Sequence, residues 1–165
     1  MNTKILTLKE LIKKIKILKK KKKKIVLCHG VFDLLHVGHI KHLRKAREFG
    51  DKLVVTITPD IFVNKGPGRP VFNQNLRSES IAELDSVDFV LINNTATAVN
   101  PIKAIKPDVY CKGQDYKKAS NDITGEIKNE IKEIKKIKSK IVFTNEITFS
   151  SSRLINKSTD FFSPN

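Results

Sequence analysis

Cysteine is scarce in this 165-residue chain: Cys28 and Cys111 are its only two. Both fall in apolar runs of strand character, and no Cys/His cluster accompanies them. They read as buried thiols, not as a disulfide or a metal pair. Long apolar stretches are missing as well. None approaches the roughly 20 residues a helix needs to cross a bilayer, and no signal-peptide pattern opens the sequence. The expected setting is therefore the cytoplasm, with no membrane partner. There is no internal repeat. Acidic residues all but vanish from residues 1–24, where eleven lysines face Glu10 alone and supply ten of the fifteen net positive charges. The lysine run 19–24 lacks aromatics and arginines, which removes the stacking and base readout that nucleic-acid binders use. Such a run can attract nucleic acid or an anionic surface. A solvated turn accounts for it as well, and nucleic acid is not an expected partner.

What is present is an alternation of strand and helix patterns. Thr7-Leu8-Lys9-Glu10 reads as a capping box, and Leu8, Leu11, Ile12, Ile15 and Leu18 follow at helical spacing. From residue 25 onward, apolar strands are expected at 25–28, 53–58, 89–92, 109–111 and 141–143. Helices are expected near 39–49, 74–84, 100–106 and 123–138, with a last one after Ser150. Gly50 suits the end of the first of these, Pro101 a first turn, and Pro107 a stop. Ile127, Ile131 and Ile134 mark a buried helical face whose other faces carry Lys and Glu. The pattern predicts a single α/β domain of Rossmann-like, doubly wound type, a parallel sheet between two helical layers, with ligands at the carboxyl ends of the strands. The segmentation is a basic amino-terminal helix and lysine run at 1–24, a domain at 25–157, and a tail at 158–165.

One decapeptide stands at such a strand end. Residues 30–39 read Gly-Val-Phe-Asp-Leu-Leu-His-Val-Gly-His, between the run Ile25-Val26-Leu27-Cys28 and a helical stretch with Ile40, Leu43 and Ala46 on one face. His36 and His39 flank Gly38 where the strand hands over to the helix. A helix start offers N–H groups and a positive dipole end to an anion, and Gly38 leaves room for a phosphate to approach the backbone. Two imidazoles there suit charge that grows on a phosphate during transfer.

Gly-x-Phe-Asp-x-Leu-His-x-Gly-His resembles the signature of the cytidylyltransferase-like nucleotidyltransferases, which include glycerol-3-phosphate cytidylyltransferases and heptose 1-phosphate adenylyltransferases. The resemblance implies that His36 and His39 contact the nucleotide phosphates, with Gly30, Val31, Phe32, Asp33 and Gly38 around them. The chain is too short for a class I aminoacyl-tRNA synthetase, and it has no Lys-Met-Ser-Lys-Ser-like loop. Three further elements are similar to the family's. Lys65 and Arg69 stand in the loop Asn64-Lys65-Gly66-Pro67-Gly68-Arg69-Pro70, placed to clamp a triphosphate, with Lys65 counted among the catalytic groups. Arg77, opening the next helix, is placed to reach the same anion. Lys112-Gly113-Gln114-Asp115-Tyr116 is similar to the Lys-Gly-Gly-Asp-Tyr of the heptose type, and implies that Lys112, Gly113, Asp115 and Tyr116 border base and ribose. Ser150, Ser151 and Ser152 match a Ser/Thr-rich motif that touches phosphates and doubles as a helix cap.

The implied reaction transfers a nucleoside monophosphate to a sugar phosphate that is already an anion, so the motif needs no general base. Mg²⁺ is the implied cofactor, held mainly through substrate phosphates, and no residue is assigned as its ligand. ATP is favoured over CTP, and a sugar 1-phosphate over glycerol 3-phosphate. Glycerol-phosphate enzymes carry arginines where this chain has Asp85 and Asn145, whereas Arg69-Pro70-Val71, residues 84–88 and residues 112–116 resemble the adenylyl branch. The CTP-dependent reaction is the alternative, and a nucleotide-sensing or basic nucleic-acid-binding domain the non-enzymatic one. A homodimer and a sugar kinase, separate or fused, are the protein partners left open.

Overall fold

In a computed structural model of the chain, residues 3–113 and 127–145 are described. The elements run α1 (Leu8–Lys20), β1 (Ile25–Gly30), α2 (Val37–Arg47), β2 (Lys52–Ile57), a 3-10 turn (Asp60–Phe62), α3 (Gln74–Ala82), β3 (Phe89–Ile92), α4 (Val99–Ile105), β4 (Val109–Gly113), α5 (Ile127–Lys136) and β5 (Lys140–Thr144). All five strands pair in parallel, in the order β3-β2-β1-β4-β5. The strand order reverses between β1 and β4, and the crevice of a doubly wound sheet opens at such a reversal.

Period-2 alternation divides the strands between two cores. Val26 and Cys28 join Leu43 and Ala46 of α2 and Ile81 and Ala82 of α3 on one face. Ile25 and Leu27 join Leu11 and Ile15 of α1, Ile102 and Ile105 of α4, and Ile134 of α5 on the other. This is the three-layer arrangement expected. Cys28 and Cys111 lie opposite each other on β1 and β4, buried and free. The Thr7–Glu10 capping box forms in both directions. Gly50 is required by a close approach, because a Cβ there would meet Val26 Cγ2 at 2.7 Å and the Lys24 carbonyl at 2.9 Å. Asp51 anchors the lysine run through Lys24 N (2.8 Å) and Lys23 Nζ (3.2 Å). At the sheet margin, Ile5 bridges Val90 of β3: Leu6 N donates to the Val90 carbonyl and Val90 N to the Lys4 carbonyl, both at 2.9 Å.

One face departs from expectation. Ile127 and Ile134 of α5 are buried, but so are Glu130 and Glu133, while Ile131 is only half-buried. The apolar stripe of this helix therefore has acids set into it. No helix among the described residues is long and apolar enough to cross a membrane.

Candidate active site

β1 ends at Gly30, and the chain then turns sharply through Phe32, whose φ of 49° is unusual for a side-chain-bearing residue. The turn folds the Phe32 ring back over Gly30, where an added Cβ would stand 3.1 Å from it. Gly30 is thus explained by packing. Phe32 meets His39 edge-on, with centroids 5.3 Å apart at 69°, and His39 stacks on His36 at 3.9 Å and 24°. The two motif histidines, three residues apart in sequence, form one stacked pair at the end of β1.

His36 is also the N-cap of α2. Its Nδ1 accepts from Gly38 N at 3.1 Å, which makes Nε2 the nitrogen that carries the proton in the neutral ring. The Gly38 N–H expected for a phosphate is therefore engaged by this cap. Burial pushes the pKa of His39 down to about 3, with the neighbouring His36, His42 and Lys65 adding to it and a Leu34 backbone hydrogen bond opposing. Its ring is neutral at physiological pH. Lys65 sits close enough to act on it, and partial desolvation, then the neighbouring Arg69, lowers the lysine's own pKa.

The loop after β2 is tied to the decapeptide through Asp33. This fully buried carboxylate accepts from Arg69 Nε at 2.5 Å and from Val71 N at 2.6 Å. Gly66 and Gly68 supply the positive φ values the loop requires. Arg69 is accordingly paired with Asp33 instead of lying free over the site. Its Nη2 is nevertheless buried with no hydrogen-bond partner among the described residues.

Two expectations need correction. Arg77 does not reach toward an anion: its guanidinium is buried and donates to the carbonyls of Phe72 (3.0 Å), Val31 and Thr58 (2.9 Å) and to Asp60 Oδ1 (2.6 Å). It braces the strand ends, and Val31 contributes a carbonyl to that brace. Asp85 lies exposed between α3 and the start of β3, at the amino-terminal end of the sheet and opposite the site. Exposed there, it is not among the groups that surround the histidine pair. Lys112 is engaged inward, its ammonium 3.2 Å from Glu130. Gly113 closes β4 with open space where a Cβ would be. Asp115, Tyr116, Ser150, Ser151 and Ser152 lie outside the described residues.

Three polar groups at this end of the sheet escaped the sequence reading. His29 on β1 bonds Thr56 (2.8 Å) and Thr58 (3.3 Å), and burial, then the Lys112 charge, lowers it to about 4. His42, one turn beyond His39, bonds Thr144 at 2.7 Å and is lowered to about 4 by the same two causes. Glu130 is the third. The signal for His42 was its i+3 spacing from His39; for Glu130 it was a position between Ile127 and Ile134 on the buried stripe. No group of three or more ligating side chains that could hold a metal occurs among the described residues.

The sequence matches the cytidylyltransferase-like family over residues 27–157. It is 45% identical over 116 residues to the bifunctional protein HldE of Aliarcobacter butzleri, and 48% identical over 100 residues to that of Campylobacter concisus. These matches cover 68% and 59% of the chain but only 24% and 21% of those proteins, so the chain spans under a quarter of such relatives. The lipopolysaccharide core biosynthesis protein of Thermoplasma volcanium superposes with a TM-score of 0.63 at 30% identity, over 76% of this chain and 99% of that one. The pantoate-beta-alanine ligase of Francisella tularensis shares the fold alone (TM-score 0.62, 19% identity, 92% and 72% of the two chains). Stacked histidines at the end of β1, a cationic loop beside them and a match across the whole sheet agree: the chain belongs to the cytidylyltransferase-like family of nucleotidyltransferases.

Proposed function

We propose that the chain transfers AMP from ATP to a sugar 1-phosphate and releases pyrophosphate. The observation that carries this reading is one buried donor without an acceptor, set among cationic and imidazole side chains. Arg69 Nη2 is buried and unbonded beside Lys65 and the His36–His39 stack. A buried donor without an acceptor is costly, and a phosphate oxygen is the acceptor this cluster suits. An oxygen of the acceptor phosphate attacks the α-phosphorus, and the bond to pyrophosphate breaks on the far side. The nucleophile is already an anion, so no residue has to remove a proton. Lys65 and Arg69 meet charge on the leaving pyrophosphate, and neutral His36 and His39 donate to α-phosphate oxygens as charge spreads over them. Phe32 and the cap on Gly38 hold the two rings in place beforehand.

Mg²⁺ belongs to the proposal as a companion of the nucleotide. Asp33, the carboxylate nearest the histidines in sequence, is taken by Arg69 and Val71, so the ion would be held through substrate phosphates, where it neutralises them. ATP is preferred over CTP because Lys112-Gly113 opens the segment similar to the adenylyl branch and Asn145, just past β5, is not the arginine of the cytidylyl branch. The relatives are bifunctional and the chain spans under a quarter of them, which leaves room for a sugar kinase, fused or separate, as the source of the sugar 1-phosphate. The deciding measurement is kcat/KM by pyrophosphate release for each nucleoside triphosphate against a panel of sugar phosphates. ATP with a sugar 1-phosphate is the expected best pair; a clear preference for CTP, or efficient use of glycerol 3-phosphate, would overturn the choice of substrates.

A further inference from the structure

We propose that Glu130 is a positioning residue for nucleotide binding: its carboxylate fixes the Lys112 ammonium at the carboxyl end of β4, beside the reversal of strand order. This rests on the reading of the site as a nucleotide site. Glu130 is buried on α5 and accepts from three places at once: Tyr110 Oη on β4 (2.8 Å), Lys112 Nζ on β4 (3.2 Å) and Ala98 N at the start of α4 (3.0 Å). Burial alone would raise its pKa, but the Lys112 charge, then the nearby His29 and the Ala98 and Tyr110 hydrogen bonds, outweigh it and leave the pKa lowered. The ammonium it holds also lies 5.5 Å from the centre of the Tyr110 ring. A lysine side chain has four rotatable bonds, and here its head is fixed from two directions.

The placement matters because of what surrounds it. The Lys112 charge acts on His29 across β1 and on His42, the residue one turn beyond His39. Lys112 is thus set between the two flanks of the site. A buried ion pair is a poor source of net stability, since desolvation cancels most of the attraction. Its worth is in order: a lysine already fixed against Glu130 does not have to be immobilised when a ligand settles beside the end of β4. Glu130 stands on the buried stripe of α5, shared with Ile127, Glu133 and Ile134, at a position where apolar periodicity alone would place an isoleucine.

The test uses the full chain, with ATP and Mg²⁺ as the titrant in calorimetry and pyrophosphate release as the second readout. Glu130→Gln is expected to weaken ATP binding roughly tenfold or more while kcat at saturating ATP stays within about threefold. Lys112→Met is expected to weaken ATP binding to a similar extent, and the double variant to bind no more weakly than either alone. Melting of each variant separates this from general loosening of the fold. Should Glu130→Gln fail to fold, Glu130→Asp, which keeps the charge but withdraws it by one methylene, is expected to show a smaller loss of affinity. Unchanged affinity in a folded Glu130 variant, or additive losses in the double variant, would overturn the proposal and leave the nucleotidyltransfer reading standing. A wild-type chain that binds ATP without turning over any acceptor would remove the reaction, and the affinity cycle would still decide Glu130. A wild-type chain that binds no nucleoside triphosphate would overturn both.

Discussion

The imidazole of His36 performs two tasks from its two nitrogens, capping α2 through Nδ1 and carrying its proton on Nε2. Substitutions can separate them. Asparagine is a good N-cap, so His36→Asn is expected to hold helix and melting temperature near wild type while kcat falls roughly a hundredfold, the scale for one lost donor to an anionic transition state. His36→Ala is expected to lose the donor and also about 1 kcal/mol of stability with the cap. Near-normal turnover in folded His36→Asn would take the ring out of the reaction. At the same scale, Arg69 and Arg77 show how two similar side chains part company. Arg69 keeps one buried nitrogen without a partner, whereas Arg77 spends its fork on three carbonyls and Asp60. Nothing in the sequence separates them, because an arginine's role is set by which carbonyls the fold aims at it.

Among the elements, α3 depends on that fork. Asn73 caps it through Asn75 N and Leu76 N, both at 3.0 Å, and Asp60 and Gln74 bond each other reciprocally at 3.0 and 3.1 Å. Arg77 then ties the helix to the ends of β1 and β2. A lysine cannot reproduce a planar, multiply bonded guanidinium, so Arg77→Lys is expected to cost about 3 kcal/mol or more in urea unfolding. A loss below about 1 kcal/mol would return Arg77 to the list of ligand-binding groups. The basic helix α1 is part of the fold by the same test of burial, since Leu11 is fully buried and Ile15 nearly so. Leu11→Ala is expected to cost about 2–5 kcal/mol while KM for the nucleotide in the folded variant stays unchanged. A selective rise in KM would connect this helix to the site.

For the molecule as a whole, three partly buried histidines sum to a dependence on acid. His39, His29 and His42 are lowered from 6.5 to about 3, 4 and 4. Below pH 6.5 the unfolded chain takes up protons that the folded one refuses, so stability is complete above that value and declines as pH falls toward 3–4. Urea unfolding at pH 5 is expected to show at least about 1–2 kcal/mol less stability than at pH 7; equal values would contradict the buried, neutral assignment. None of the three is charged by its neighbours into an ion pair, a fact that spacing alone does not reveal. Sheet and layers were legible because β1, β2 and β3 are short apolar runs between helical patterns, and the His36–His39 pair because its residues are contiguous. Glu130 and His29 were not, nor was the pairing of Asp33 with Arg69, since their partners lie 20 or more residues away. The Ile5–Val90 bridge has one more consequence, for solubility. A marginal strand with free N–H and C=O groups is a template for another chain, and Phe89–Ile92 is wholly apolar. Val90, whose amide and carbonyl both face outward, finds them taken by Lys4 and Leu6, so the chain occupies its own template before a neighbour can. Removing residues 1–6, which leaves the Thr7 cap in place, is expected to produce concentration-dependent association in sedimentation velocity, and a variant that stays monodisperse would show that the bridge plays no such part.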